Sequence, residues 1–193
     1  MRGFGTTIFA EMSALASSTA SINLGQGFPD TDGPPDMLAI AADAVLHGPN
    51  QYPPGPGIPE LRGAIVAHQQ LHYGLAYDRD TEVLVTAGAT EAIAASILAL
   101  AGPGDEVVTF EPYYDSYAAT IALAGAVRRT SVLRFPDFAV DEVSLRASFS
   151  DRTRLVLLNT PPNPTGKFFT RRRLDLVCAP PPAHAAVVGR PMG

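Results

Sequence analysis

Tryptophan is absent from the 193-residue chain, cysteine occurs once, and lysine occurs once beside 13 arginines. Each shortage removes a class of explanation. The single cysteine, Cys178, can form neither an intrachain disulfide nor a cysteine-based zinc site, which suits a cytoplasmic chain. Long apolar runs are missing as well. The longest covers residues 92–101, is interrupted by Ser96, and falls far short of the ~20 residues that a membrane span needs. Glu11 follows Arg2 before any apolar segment develops, so the start does not read as a signal peptide. Basic charge is in deficit: 14 Lys and Arg against 19 Asp and Glu leave a net charge of −5, which argues against a nucleic-acid partner. The acidic residues are spread thinly and form no acidic tail. GxGxxG, Walker A and GxSxG patterns are all lacking, so dinucleotide, P-loop and serine-hydrolase readings have no support.

What remains is apolar and well punctuated, with 46% hydrophobic residues, 17 Gly and 18 Pro. A chain of this length is one large domain or a piece of something larger, and buries roughly 70% of its unfolded surface if its elements are complete. Residues 1–20 read as an arm with one short helix. Pro34 and Pro35 open a helix to about Leu46, and a second begins at Pro59, carries Leu61, Ala64, Ile65, His68 and Leu71 at helical spacing, and stops at Gly74. Strands are then expected at 82–86, 106–110, 126–133 and 154–158, with helices at 91–101, 114–124 and 141–149 between them. Such alternation implies an α/β fold with a mainly parallel sheet and flanking helices. From Phe168 the pattern fails. Residues 171–177 could start a helix, but Pro180, Pro181 and Pro182 interrupt, and nothing after them promises an element able to finish a sheet.

Three turns after expected strands are candidate sites. Thr86-Ala87-Gly88-Ala89-Thr90-Glu91 leads into a helix whose first N–H groups can hold a phosphate, or is an ordinary capped turn. Glu111-Pro112-Tyr113-Tyr114-Asp115 offers an aromatic that could stack on a flat ring or pack on the core. Asn159-Thr160-Pro161-Pro162-Asn163-Pro164-Thr165-Gly166 holds Asn163 between prolines, either to present its amide to a ligand or simply to turn the chain. His68 and His72 are i,i+4, but Gln69 stands where a metalloprotease motif has glutamate and no third ligand is evident, so no metal is expected. Asp30-Thr31-Asp32-Gly33 starts like a calcium loop without its later ligands.

Taken together and in this order, the motifs resemble the N-terminal part of class I/II pyridoxal-phosphate aminotransferases of fold type I. The similarity is greatest to the kynurenine and glutamine transaminases and the actinobacterial N-succinyldiaminopimelate aminotransferases. The resemblance implies an incomplete fold-type I large domain preceded by an N-terminal arm, divided as 1–48 arm and helix, 49–167 partial cofactor-binding domain and 168–193 aberrant Pro/Arg/Ala-rich tail. Asn23-Leu24-Gly25-Gln26-Gly27-Phe28-Pro29-Asp30 matches the family's opening segment, which implies that Gly27 faces substrate. Asn50-Gln51-Tyr52 matches the tyrosine that reaches the cofactor phosphate of the partner subunit. Gly88, Ala89 and Thr90 correspond to the phosphate-binding turn, Tyr113 to the aromatic stacked on the pyridine ring, and Asn163 to the asparagine that contacts cofactor and substrate carboxylate.

The implied activity moves an amino group from an amino acid to a 2-oxo acid, with pyridoxal 5'-phosphate as cofactor and a homodimer as the family's assembly. A C–S β-lyase of the same fold, or a non-catalytic remnant or binding module, is the alternative. The resemblance runs from about Phe4 to Lys167 and stops before the family's cofactor-carrying lysine. Lys167 takes the place of a residue beside the asparagine turn without that role, so no residue of this chain is assigned as catalytic and the chain alone is expected not to transaminate. A frameshift or premature stop in a GC-rich gene is the expected origin of the tail, testable by resequencing for the rest of the domain in another reading frame.

Overall fold

The computed structural model describes residues 6–27, 29, 31–178 and 186–188; Phe4, Phe28, Asp30, the prolines at 180–182 and residues 189–193 lie outside them. The chain divides into two compact units, Thr6–Thr86 and Ala87–Gly193.

The first unit is helical. α1 (Ile8–Thr19) is capped by the Thr7 hydroxyl, which accepts from the Ala10 N–H at 3.2 Å. α2 (Pro35–His47) and α3 (Pro59–Tyr73) each begin on a proline, whose missing N–H costs nothing in the first helical turn. Gly74, at φ +67°, ends α3 as expected. No described side chain of α1 or α2 is buried, and the buried residue of α3 is an arginine. Arg62 donates to the carbonyls of Gly57 at 3.1 Å and Arg79 at 2.7 Å and pairs with Asp80 at 3.3 Å, so a guanidinium fork ties α3 to both flanking turns.

Residues 82–86, expected as a strand, form none. A strand exists only where a neighbouring segment completes its ladder, and among the described residues none does. Val85 instead donates one backbone bond to Pro56 O at 3.0 Å. That contact brings Val85 over Gly57, which holds φ +99°; a Cβ there would stand 2.5 Å from Val85 Cγ2. Gly57→Ala is therefore expected to destabilise this unit by about 1–3 kcal/mol. An unchanged denaturation midpoint would contradict the crowding.

The second unit carries the sheet. α4 (Gly88–Leu100), β1 (Glu106–Glu111), α5 (Ser116–Leu123), β2 (Val127–Val132), α6 (Glu142–Ala147), β3 (Thr153–Leu157), α7 (Arg171–Cys178) and β4 (Ala186–Val188) follow in order. All strand pairs are parallel, in the order β2-β1-β3-β4. A parallel sheet must be covered on both faces, and the near-continuous apolar runs of β1 and β3 answer that. Val108, Phe110, Leu133, Val156 and Leu158 pack with Leu145 of α6 and Val177 of α7. Val107, Leu155 and Leu157 pack with Ile97 of α4 and with Tyr117 and Ile121 of α5.

The expectation that nothing after Phe168 could finish a sheet is corrected. Phe169 is buried and meets Phe110 edge-on, with ring centroids 5.5 Å apart. α7 turns Val177 inward, while Arg171 and Asp175 pair at 3.0 Å on its exposed side. β4 then pairs with β3 through Leu155↔Ala186, Val156↔Val187 and Leu157↔Val188. The physical reason is tertiary: β1 leaves one side of β3 open, and the backbone of residues 186–188 completes the ladder there.

Candidate active-site cradle

Parallel strands deliver their following loops to one edge, the carboxyl edge, where α/β proteins gather ligands. β1 hands over there to Pro112 and Tyr113, and β3 to the turn from Asn159 to Gly166. The two loops enclose a small cavity with Phe110 and Leu157 as its apolar floor and Tyr113, Asn159 and Asn163 around it. The asparagine turn is held closed by Gly166 N–H to Pro162 O at 2.8 Å and by Phe169 N–H to the Thr160 hydroxyl at 3.1 Å. Gly166 sits at φ +66°, a conformation that favours glycine. This closure leaves Pro162 buried and Asn163 exposed.

The polarity of α4 follows from its end. Arg154, in β3, donates through Nε to Leu100 O at 3.2 Å, placing the C-terminal end of α4 beside the start of β3. Its N-terminal end therefore points toward the carboxyl edge, and Ile93 in its second turn packs in one cluster with Tyr113 and Tyr114. Gly88 opens the helix at φ +83°, with nothing within 4 Å of where a Cβ would stand. The first turn of a helix provides N–H groups without intrahelical acceptors and the positive end of the dipole. Glu91 reaches back to accept the Ala87 N–H, which holds the turn in place.

Of the residues singled out in the sequence, the second unit brings Gly88, Ala89, Thr90, Tyr113 and Asn163 to this edge. Gly27 and Tyr52 belong to the first unit, both exposed, Tyr52 entirely. Lys167 lines a separate shallow groove with Val140, Phe168, Arg172 and Arg173 rather than the Tyr113 cavity. His68 and His72 have ring centroids 4.4 Å apart on α3, and among the described residues no group of three possible ligands forms around them.

Two participants were not singled out from the sequence. Asn159 lines the cavity from the same turn as Asn163, and its place directly after an apolar strand was the available signal. Arg128 lies over the Tyr113 ring, its guanidinium carbon 4.4 Å from the centroid. No sequence signal marks that contact, because it joins β2 to a turn beyond β1. Asp115, just before α5, has Oδ2 buried without a hydrogen-bond partner.

Known proteins are similar to this chain in sequence and fold. Residues 19–188 match the family described as aminotransferase class I and II. The chain is 54% identical over 180 residues to a probable N-succinyldiaminopimelate aminotransferase, DapC, of Mycobacterium tuberculosis, covering 92% of this chain and 45% of that protein. It is 34% identical to mouse kynurenine–oxoglutarate transaminase 3, covering 92% of this chain and 41% of the relative. The structure of the Escherichia coli methionine aminotransferase YbdL superposes with a TM-score of 0.87 at 45% identity, over 97% of this chain and 49% of that one. This chain thus spans less than half the length of these relatives, on the fold-type I aminotransferase architecture. With the family match extending over most of its length, the chain belongs to the class I and II aminotransferases.

Proposed function

We propose that this chain forms the N-terminal, cofactor-cradling part of a pyridoxal-phosphate aminotransferase that moves an amino group from an amino acid to a 2-oxo acid. The observation that carries the reading is that the turns after β1 and β3 bring Tyr113 and Asn163 to one cavity at the carboxyl edge of the sheet, with Ile93 of α4 packed against the same core as Tyr113. Three features support a cofactor here. Gly88 leaves open space at the helix start, Tyr113 is a half-buried aromatic lining the cavity, and Asn163 is exposed with both a donor and an acceptor.

Gly88, Ala89 and Thr90 would hold the phosphate through backbone N–H groups and the Thr90 hydroxyl. Tyr113 would stack on the pyridine ring and Asn163 would orient its substituents and the substrate carboxylate. Pyridoxal phosphate, when bound, supplies the electron sink that makes the substrate's α-proton removable. Gly27 would lie against substrate, and Tyr52 would serve the cofactor phosphate of a partner subunit. A covalent nucleophile must come within bonding reach of the cofactor. Lys167, the chain's one lysine, lines a different groove.

Titration with pyridoxal phosphate tests this. The chain is expected to bind it reversibly. Tyr113→Ala should weaken binding about 2- to 10-fold, the equivalent of about 0.5–1.5 kcal/mol of stacking. Borohydride should leave Lys167 unmodified, and the chain alone should show no amino transfer. Absence of binding by the folded parent chain would refute the cradle; a turnover-competent adduct on Lys167 would refute the assignment of that lysine.

A further inference from the structure

We propose that the groove holding Lys167 binds a small organic anion, with a phosphate or carboxylate head and a flat apolar body. The site is separate from the Tyr113 cavity and does not depend on the cofactor reading. Local structure explains why its side chains meet. The groove starts at Gly166, where the asparagine turn ends. In the irregular stretch that follows, Phe169 is buried against Phe110, while Phe168 stays 58% exposed and lines the groove. On α7, Leu176 lies four residues after Arg172 and three after Arg173, so the three share one side of the helix. Val177 faces the core, and the Arg171–Asp175 pair stands apart from the groove. Val140, just before α6, adds another apolar wall.

The charge of this groove runs against that of the chain, which carries a net −5. Other arginines find carboxylates: Arg62 meets Asp80, Arg129 and Arg152 meet Glu106, and Arg146 meets Glu142. Lys167, Arg172 and Arg173 do not. Among the described residues no carboxylate pairs with any of the three or lines the groove, although Lys167 and Arg173 are half-buried. A cleft lined by charge of one sign concentrates counter-ions. Guanidinium forks bind phosphate or carboxylate through paired N–H groups. A bare anion would leave the apolar surface of Val140, Phe168 and Leu176 unused, and an aromatic body would cover it. The volume, about 730 Å³, falls within the roughly 300–1,000 Å³ of small-molecule sites.

The single lysine makes the site readable. Reductive methylation with isotope-labelled formaldehyde keeps the charge and labels only Lys167 and the α-amino group. Phenyl phosphate should shift the Lys167 methyl resonance saturably and leave the α-amino signal in place. The double variant Arg172→Gln/Arg173→Gln should bind it about 3- to 10-fold more weakly. Phe168→Ala should weaken phenyl phosphate about 2- to 5-fold and leave the affinity for inorganic phosphate, read at the same resonance, unchanged. Arg171→Gln, whose guanidinium pairs with Asp175 outside the groove, should bind as the parent does. Absence of a saturable Lys167 shift in the folded parent would overturn the proposal, as would a double variant that binds as tightly as the parent. Phenyl phosphate binding that Phe168→Ala leaves intact would overturn the assignment of an apolar body to the ligand.

Discussion

Glu106→Ala is expected to lower the stability of the sheet unit by about 2–3 kcal/mol, read from the midpoint of chemical denaturation at neutral pH. Glu106 begins β1 with its carboxylate 1% exposed. It accepts from the Ser150 hydroxyl at 2.7 Å and from Arg152 Nη2 at 2.7 Å, and pairs with Arg129 Nε at 3.3 Å. One side chain thereby joins the starts of three adjacent strands. Breaking a fully buried pair costs more than this, but Arg129 and Arg152 are 43% and 68% exposed and can hydrate when left alone.

The same group makes stability pH-dependent. The Ser150 hydroxyl, opposed by burial and aided by Arg152 and Arg129, holds the Glu106 carboxyl below the usual glutamate range. A depressed folded-state value means that the contribution is fully present above the unfolded-state value, about 4.3, and is lost as pH falls through the lower folded value. Glu106→Gln should remove that acid-side loss while keeping an acceptor for Ser150. An acid limb of the stability profile identical to the parent's would show that this carboxylate does not contribute.

Phe110→Ala is expected to cost about 3–5 kcal/mol, the usual range for deleting a buried aromatic ring. Phe110 is 5% exposed, packs edge-on against Phe169, and forms part of the floor of the Tyr113 cavity. Such a loss is a large fraction of the 5–15 kcal/mol that typically separates folded from unfolded domains. Phe110→Leu, which retains most of the apolar volume, should recover much of it. A thermal or denaturant midpoint within error of the parent for Phe110→Ala would mean that the ring is not part of a cooperative core.

Most helices and the three longer strands were legible because their signals are local. Pro35 and Pro59 at helix starts, Gly74 at a helix end and the apolar runs of β1 and β3 each act within a few residues of themselves. The strand expected at 82–86 failed because its sequence supplies only propensity. Its hydrogen-bonding partner must come from elsewhere, and Pro56 O offers a single bond. The tail was misread for the opposite reason. Its prolines dominate the pattern, whereas Phe169 and Val177 act through a core assembled by β1, β3 and α6, which no local window contains.

The site divides in the same way. Gly88-Ala89-Thr90, Tyr113 and Asn163 were recognisable as short motifs at strand ends, since a turn after an apolar strand announces itself in sequence. Their convergence depends on strand polarity: parallel pairing of β1 and β3 sends both loops to one edge, and the Arg154–Leu100 contact turns the start of α4 toward it. The lone lysine was a fact of composition, and its lack of a catalytic role is an inference from resemblance. Its place in the groove with Arg172 and Arg173 is tertiary. So is the placement of Arg128 over Tyr113, because contacts between side chains far apart in sequence exist only once the sheet has set its register. Sequence by itself determined the family, the elements with local signals and the chemistry each turn could offer. Only the folded sheet decided which of those turns share an edge, and which of two neighbouring arginines meets a carboxylate and which an aromatic ring.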